Sequence, residues 1–409
     1  MKLLRVAVLA VLAILGLWFV WAAILRFLSF GELIMEDFAS YYSSASLALQ
    51  GLDIYDDAAR EAFRVQIGLA ELPPYIYPPF LAVVLKPIAL LPFGTARIIW
   101  FVTSSMALIV SLVLLARTFC LDRRWFLALV AAALFLPGTW LTLWLGQVNM
   151  FLLLLIALAL YFERNDRQRA AGAALGLAII IKLIPLLLIV YLALTRRFTT
   201  VLWSALALVG LTAFSIVAGG TDYQARFFTH GIVTAAGMNG VGMPFDQSIS
   251  AYFARFFLPT PFSSPLFVSS QLPLLLTVAA SALLLALTAR DAVRGGFANI
   301  LNGFPLTIVA MLLVSTISWD HYAVFLLVPL AALMRQPDIT SSRPTFQQFA
   351  VLLAYGLLVI QGYWTVFPRS AWFLSFGFYG MVILWACFIW INRTHRPSGT
   401  SLVSEFGNL

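Results

Sequence analysis

Apolar runs long enough to cross a bilayer recur along this chain, and short polar segments tipped with arginine separate them. A spanning helix needs about 20 predominantly apolar residues, and the backbone inside hydrocarbon must satisfy its own hydrogen bonds. With 409 residues, 62% hydrophobic and 10% charged, and a mean hydropathy of +0.96, the chain reads as all-α and polytopic in a membrane. The runs are continuous rather than alternating, which argues against a β-barrel. No hydrophilic stretch is long enough to fold as a separate soluble domain, so residues 1–396 read as one integral domain. The tail 397–409 lacks the pattern and is expected to be disordered and cytoplasmic.

The net charge of +8 does not point to nucleic acid. The arginines punctuate the ends of the apolar runs, as the positive-inside rule produces. Cys120 and Cys387 offer no disulfide framework. Lys2 and Arg5 precede an apolar stretch too long for a cleaved signal, so an uncleaved anchor with a cytoplasmic N-terminus is expected.

Counting runs gives about twelve crossings with both termini cytoplasmic. The first is Val6 to Leu28. Residues 29–74 follow as an outer loop rich in acids, among them Glu36, Asp37, Asp53, Asp56, Asp57, Glu61 and Glu71. Tyr41–Gln50 and Asp56–Leu69 within it read as short interfacial helices. Trp125 to Trp144 reads as a single outward span, and Leu145 to Asn149 as its turn. Ala170 to Leu194 is basic at both ends with Lys182 and Pro185 in the middle, which favours two half-helices broken at Lys182–Pro185. Gly219 to Pro273 is a second outer region, whose Ile249–Leu258 portion dips into the membrane. Ser318 to Tyr322 tops a later span.

On this topology, polar residues from five separated segments converge on one membrane face: Asp37; Gln147 and Asn149; Lys182; Asp246, Gln247 and Arg255; Asp320 and His321. Carboxylates and cations at a lipid boundary are costly unless water, a partner or a substrate meets them, which suggests a shared cavity. Each also has a plain reading. Asp37 could cap a helix, Gln147 and Asn149 could be turn formers or inter-helix hydrogen bonders, and Lys182 could snorkel to a headgroup. His230, His321 and His395 are dispersed, so no metal site is expected. No nucleotide-type glycine loop appears either, and no cofactor is expected.

Taken in order, several short motifs resemble those of the C-type polytopic glycosyltransferases, and more narrowly glycosyltransferase family 87. They are Asp37-Phe38 with Tyr41-Tyr42, Gly51 and Tyr55; Tyr77-Pro78-Pro79; Gly146-Gln147-Val148-Asn149; Lys182 with Pro185; Gln247-Ser248 with Arg255; and Ser318-Trp319-Asp320-His321. The resemblance implies a helical bundle of that kind in the cell (inner) membrane. It further implies transfer of a hexose, mannose first, from a polyprenyl-phosphate sugar to a glycolipid or glycan hydroxyl on the extracytoplasmic side, with inversion. Asp37 is then the expected general base, and Lys182, Arg255 and His321 are candidates for the donor phosphate. Gln147, Asn149 and Gln247 would orient sugar hydroxyls, and Tyr41, Tyr77 and Trp319 could stack on a pyranose. Glu36, Asp246 and Asp320 complete the expected sugar and acceptor contacts. The chain departs from the family pattern at Asp246, where Asn is common, and at Tyr322, where a second histidine is common. A transporter or lipid-linked-sugar flippase is the alternative, because broken helices also suit alternating access.

Overall fold

The computed structural model describes residues 35–238, 242–341 and 345–394. Among these residues every regular element is a helix, and the one β-type contact is an isolated antiparallel bridge between Asp246 and Trp319. The expected first span and the tail lie outside the described residues.

Two helices form in the acidic loop, α1 (Glu36–Leu49) and α2 (Asp57–Ile67). Asp56 caps α2 by accepting from the backbone N–H groups of Ala58 and Ala59, and Gly68 closes it in the left-handed conformation. Helix α1 begins at Glu36, five residues before the Tyr41 start expected from sequence. Glu36 and Asp37 thus form its first turn, where the helix dipole favours carboxylates.

Short helices Pro79–Val84 and Lys86–Ala89 lead into α3 (Phe93–Thr118), the first full-length apolar helix among the described residues. Next come α4 (Arg123–Phe135) and α5 (Pro137–Leu145), bent by 56° at their junction. The expected single span from Trp125 to Trp144 is therefore a broken one. Pro137 supplies no N–H and disfavours helical backbone at Leu136, which is extended. Helix α6 (Asn149–Arg164) returns, and α7 (Gln168–Ile181) and α8 (Leu186–Leu194) are separated at the Lys182–Pro185 break read from the sequence. Further helices are α9 (Phe198–Gly219), α10 (Ile249–Phe257), α11 (Leu272–Gly295), α12 (Ile300–Val314), α13 (Leu327–Leu333), α14 (Phe346–Gln361) and α15 (Phe376–Thr394), with shorter turns of helix between them.

The described residues do not support about twelve crossings. Five helical stretches among the described residues are long and apolar enough to cross a membrane, or six if the bent α4–α5 pair is one span. The rest are interrupted or short. A helix the length of α6 or α14, 16 residues, reaches about 24 Å against a hydrocarbon core of about 30 Å. The chain is a multi-pass membrane protein built from full spans and partial ones.

Glycines let α7 and α9 pack closely. A Cβ on Gly172 of α7 would stand 2.5 Å from the Thr200 carbonyl of α9, and one on Gly176 would stand 2.7 Å from Ala207 Cβ. This is the small-xxx-small packing of membrane helices. At one end of this pair Arg197 bonds the buried Glu163 at 2.8 Å and lies over the Phe297 ring at 3.8 Å, while Thr200 donates to Glu163. Only 11% and 17% of the most apolar windows of α9 and α11 are buried within the protein, so both helices present their sides to lipid.

Candidate active site

Helix α1 is laid directly on the turn between α5 and α6. The Met35 N–H donates to the Trp144 carbonyl at 3.2 Å, and the Trp100 indole N–H donates to the Gly146 carbonyl at 2.7 Å. Gly146 has φ +69, and a Cβ there would meet Phe38 Cβ at 2.6 Å. Only glycine allows both that turn and that approach. The result is Asp37 beside Gln147.

Tyr41, Tyr77 and Gln147 join in a buried triangle of oxygens. The Tyr41 and Tyr77 hydroxyls are 2.9 Å apart, and they lie 3.1 and 3.2 Å from Gln147 Oε1. Two hydroxyl protons serve three edges, so Oε1 is fixed as an acceptor and the Gln147 NH₂ is left to donate toward Asp37. Burial pushes the Asp37 carboxyl up to about 7, against the lowering pull of the Gln147 amide and the Lys182 cation.

Lys182 is the extended residue at the α7–α8 break. Its ammonium donates to Asn149 Oδ1 at 3.2 Å and stands 4.1 Å from the Tyr322 ring centre and 5.3 Å from that of Tyr77. The Asn149 NH₂ donates to the His321 carbonyl at 3.4 Å, and the Thr142 hydroxyl donates to the same carbonyl at 3.0 Å. Asn149 thereby ties Lys182 to the segment that follows Trp319.

Two cavities flank this wall. One, of about 460 Å³, is lined by apolar side chains such as Ile184, Leu187, Met311 and Val314, and by Lys182 clustered with Tyr77 and Tyr322. The other, of about 840 Å³, holds Glu36, Asp37, Trp319, Asp320 and His321, together with Glu61, Glu71, Phe245 and Trp364. In this second cavity Asp320 Oδ1 and His321 Nε2 are buried without a hydrogen-bond partner. Tyr41, Gln147 and Asn149 line neither cavity and stand in the wall between them.

Asp246, Gln247 and Arg255 also line neither cavity. They are struts. Asp246 Oδ1 accepts from the backbone N–H groups of Ser248 at 3.0 Å and Ser318 at 3.1 Å. Around it, the Gln247 N–H donates to the Ser318 carbonyl and the Asp320 N–H to the Phe245 carbonyl, both at 2.8 Å. The Gln247 NH₂ donates to the Pro244 and Leu374 carbonyls, and its oxygen accepts from the Phe378 N–H. Arg255, fully buried, donates to the Met243 and Asp246 carbonyls and to the Ser375 hydroxyl. Asp246 and these backbone bonds clamp the 243–248 loop to the 318–320 segment, and Gln247 and Arg255 brace that loop against residues 374–378; the result aims Trp319, Asp320 and His321 at the Asp37 cavity.

Thr142, Trp100, Phe245 and Trp364 escape a reading of the sequence. The first two act through backbone carbonyls, which no motif reveals, and the last two are ordinary aromatics until the loops fold together. Among the described residues, no group of three or more His, Cys, Asp or Glu is placed to hold a metal ion.

The family model of glycosyltransferase family 87 matches residues 75–316. That range holds Tyr77, Gln147, Asn149, Lys182, Asp246, Gln247 and Arg255, with Asp37 and Trp319 to His321 on either side. A polyprenol-phosphate-mannose-dependent alpha-(1-2)-phosphatidylinositol pentamannoside mannosyltransferase of Mycolicibacterium smegmatis is 30% identical over 309 residues, covering 74% of this chain and 69% of its own length. The protein of the same description from Mycobacterium tuberculosis is 27% identical over 344 residues, covering 81% and 74%. An alpha-(1->3)-arabinofuranosyltransferase of Corynebacterium glutamicum is 26% identical over 212 residues, about half of each chain. No solved structure matches. The broken helices, the wall of Asp37, Gln147 and Lys182, and these similarities converge: this chain is a membrane glycosyltransferase and belongs to glycosyltransferase family 87.

Proposed function

We propose that this enzyme transfers a mannosyl group from a polyprenyl-phosphate mannose to a hydroxyl of a glycolipid or glycan acceptor on the extracytoplasmic face. Both termini are cytoplasmic, and the enzyme works in the cell membrane. The donor and sugar are those in the names of its mannosyltransferase relatives. The observation that carries the reading is the meeting of two unlike cavities at one wall. The apolar groove is lined in part by the Lys182 cation, and the cavity beside it holds the Asp37 carboxylate.

In this reading the isoprenoid tail lies in the apolar groove with its phosphate at Lys182, and the acceptor enters the Asp37 cavity. The acceptor hydroxyl attacks the anomeric carbon as Asp37 takes its proton. The new C–O bond forms while the bond to the phosphate oxygen breaks, and polyprenyl phosphate leaves with the electron pair from the opposite face, inverting that carbon. A positioned base contributes about 10²–10⁴-fold. Lys182 offsets charge that grows on the leaving phosphate in a low-dielectric site. Gln147 keeps the Asp37 carboxylate oriented, and His321 and Asp320 offer unpaired atoms to sugar hydroxyls. Asp246, Gln247 and Arg255 act indirectly, by holding the segment that bears them.

The test is transfer of label from polyprenyl-phosphate [¹⁴C]mannose to membrane glycolipids, comparing wild type with Asp37→Asn at equal amounts of folded protein. Label moved by the wild type and lost in the variant is the expected result. Equal transfer by both removes Asp37 as the base, and transfer by neither removes the donor.

A further inference from the structure

The two cavities carry opposite charge. Among the described residues, Lys182 is the charged side chain lining the donor groove, whereas the Asp37 cavity is lined by the carboxylates of Glu36, Asp37, Glu61 and Glu71 against Arg64, and by Asp320, which burial holds toward its neutral form. Arg64 is not available to a ligand's anion. Glu61 holds it at 2.7 and 2.8 Å, and it donates a further bond to the Leu69 carbonyl at 2.6 Å. A second observation points to what belongs there. Asp320 Oδ1 and His321 Nε2 line the same cavity, each more than nine-tenths buried as a residue and each without a partner. A buried acceptor atom and a ring nitrogen left open are costly unless a ligand's hydroxyls meet them. Phe245, Trp319 and Trp364 supply flat apolar walls beside them.

We propose that the Asp37 cavity selects acceptors whose reacting end is an uncharged sugar and excludes those bearing a phosphate or carboxylate next to the reacting hydroxyl. Hydroxyls satisfy the open polar atoms, and sugar faces lie on the aromatic walls. An anion would face Glu36 and Glu71, two neighbouring carboxylates, with no free cation to meet it among the described lining residues. Discrimination by repulsion of the wrong partner is a general route to specificity, and like-charge juxtaposition of this kind is easily worth about tenfold. The anionic headgroup of a glycolipid acceptor is thereby kept at a distance, so the enzyme extends a glycan and does not glycosylate the ring that carries the phosphate. This deepens the mannosyl-transfer reading, since it takes the Asp37 cavity as the acceptor's.

The test uses the full-length protein in lipid nanodiscs with no donor present, so it is independent of whether polyprenyl-phosphate mannose is the donor. Binding of hexyl α-mannoside is compared by calorimetry with binding of the same glycoside phosphorylated at its primary hydroxyl. At low salt the neutral glycoside binds at least about tenfold tighter, and added salt narrows the gap because Glu61 and Glu71 in the lining are exposed. In the Glu36→Gln/Glu71→Gln variant the ratio of the two affinities falls to about threefold or less. Equal or tighter binding of the phosphorylated glycoside by the wild type overturns the proposal. So does the absence of saturable binding of the neutral one.

Discussion

Asp37 owes its chemistry to four influences: burial, and to a lesser extent Glu36, raise its proton affinity, while Gln147 and Lys182 keep it from becoming a permanent acid. With its pKa lifted to about 7, the carboxylate is a competent base near neutrality and largely protonated below it. The deprotonated form accepts the acceptor's proton, so turnover rises with pH through a midpoint near 7 and is lost on acidification. A rate that does not change across that midpoint contradicts Asp37 as the base. Asp246 is a different case, because its Oδ1 serves two backbone N–H groups, which an amide oxygen does equally well. Asp246→Asn therefore keeps kcat/KM within about threefold of wild type, whereas Asp246→Ala lowers it at least about tenfold by releasing Ser318. Comparable losses in both variants would show that the charge itself is used. These residues also mark what the sequence could and could not convey. The types and order of Asp37, Gln147 and Lys182 singled them out as polar residues in an apolar chain. Asp246, Gln247 and Arg255 stood out for the same reason, yet nothing in the sequence told that the groups within their reach are backbone carbonyls and N–H groups.

At the scale of elements, breaks rather than spans build the site. Pro137 bends α4 into α5, Gly146 lets α1 sit on the next turn, and the Lys182–Pro185 interruption brings an ammonium to the groove lining. The last was legible from basic residues at both ends of one apolar run. The bend at Pro137 was hidden inside a run of the right length, and that kind of continuity made about twelve crossings appear where five or six full spans exist among the described residues. In the proposed mechanism, the interruption that also suits a transporter supplies the cation of the donor groove. Away from the site, α6 and α9 are joined through the buried Glu163–Arg197 pair. Arg197→Ala strands a buried carboxylate and costs about 3–5 kcal/mol, while the double change Glu163→Gln/Arg197→Met costs much less. Thermal unfolding in detergent separates the two outcomes, and equal losses would show that the stranded charge is not the cause.

Across the whole molecule, two entrances with unlike walls meet at a single polar seam. The apolar groove is lined by Leu187, Ala235, Ala236 and Met311, a surface suited to a long isoprenoid. Filling it with Ala235→Trp lowers kcat/KM for a long-chain polyprenyl-phosphate mannose at least about tenfold, through KM, and changes a short-isoprenoid donor less than about threefold. Equal losses for both donors would place the tail elsewhere. That the chain is a membrane enzyme of this family was readable from hydropathy and a string of short motifs in order. Which cavity faces which substrate depends on contacts between segments more than a hundred residues apart, such as Tyr41 with Gln147 and Thr142 with His321, and only the folded chain brings those together.

The most direct measurement is a cryo-EM structure of the full-length enzyme in a lipid nanodisc with a non-transferable phosphonate analogue of polyprenyl-phosphate mannose. The expected result is a phosphonate within hydrogen-bond reach of Lys182 Nζ, a tail along Ile184, Leu187 and Met311, and an anomeric carbon turned toward Asp37. A phosphonate seated away from Lys182, or a sugar on the far side of the Tyr41–Tyr77–Gln147 wall from Asp37, would contradict the proposed two-cavity mechanism.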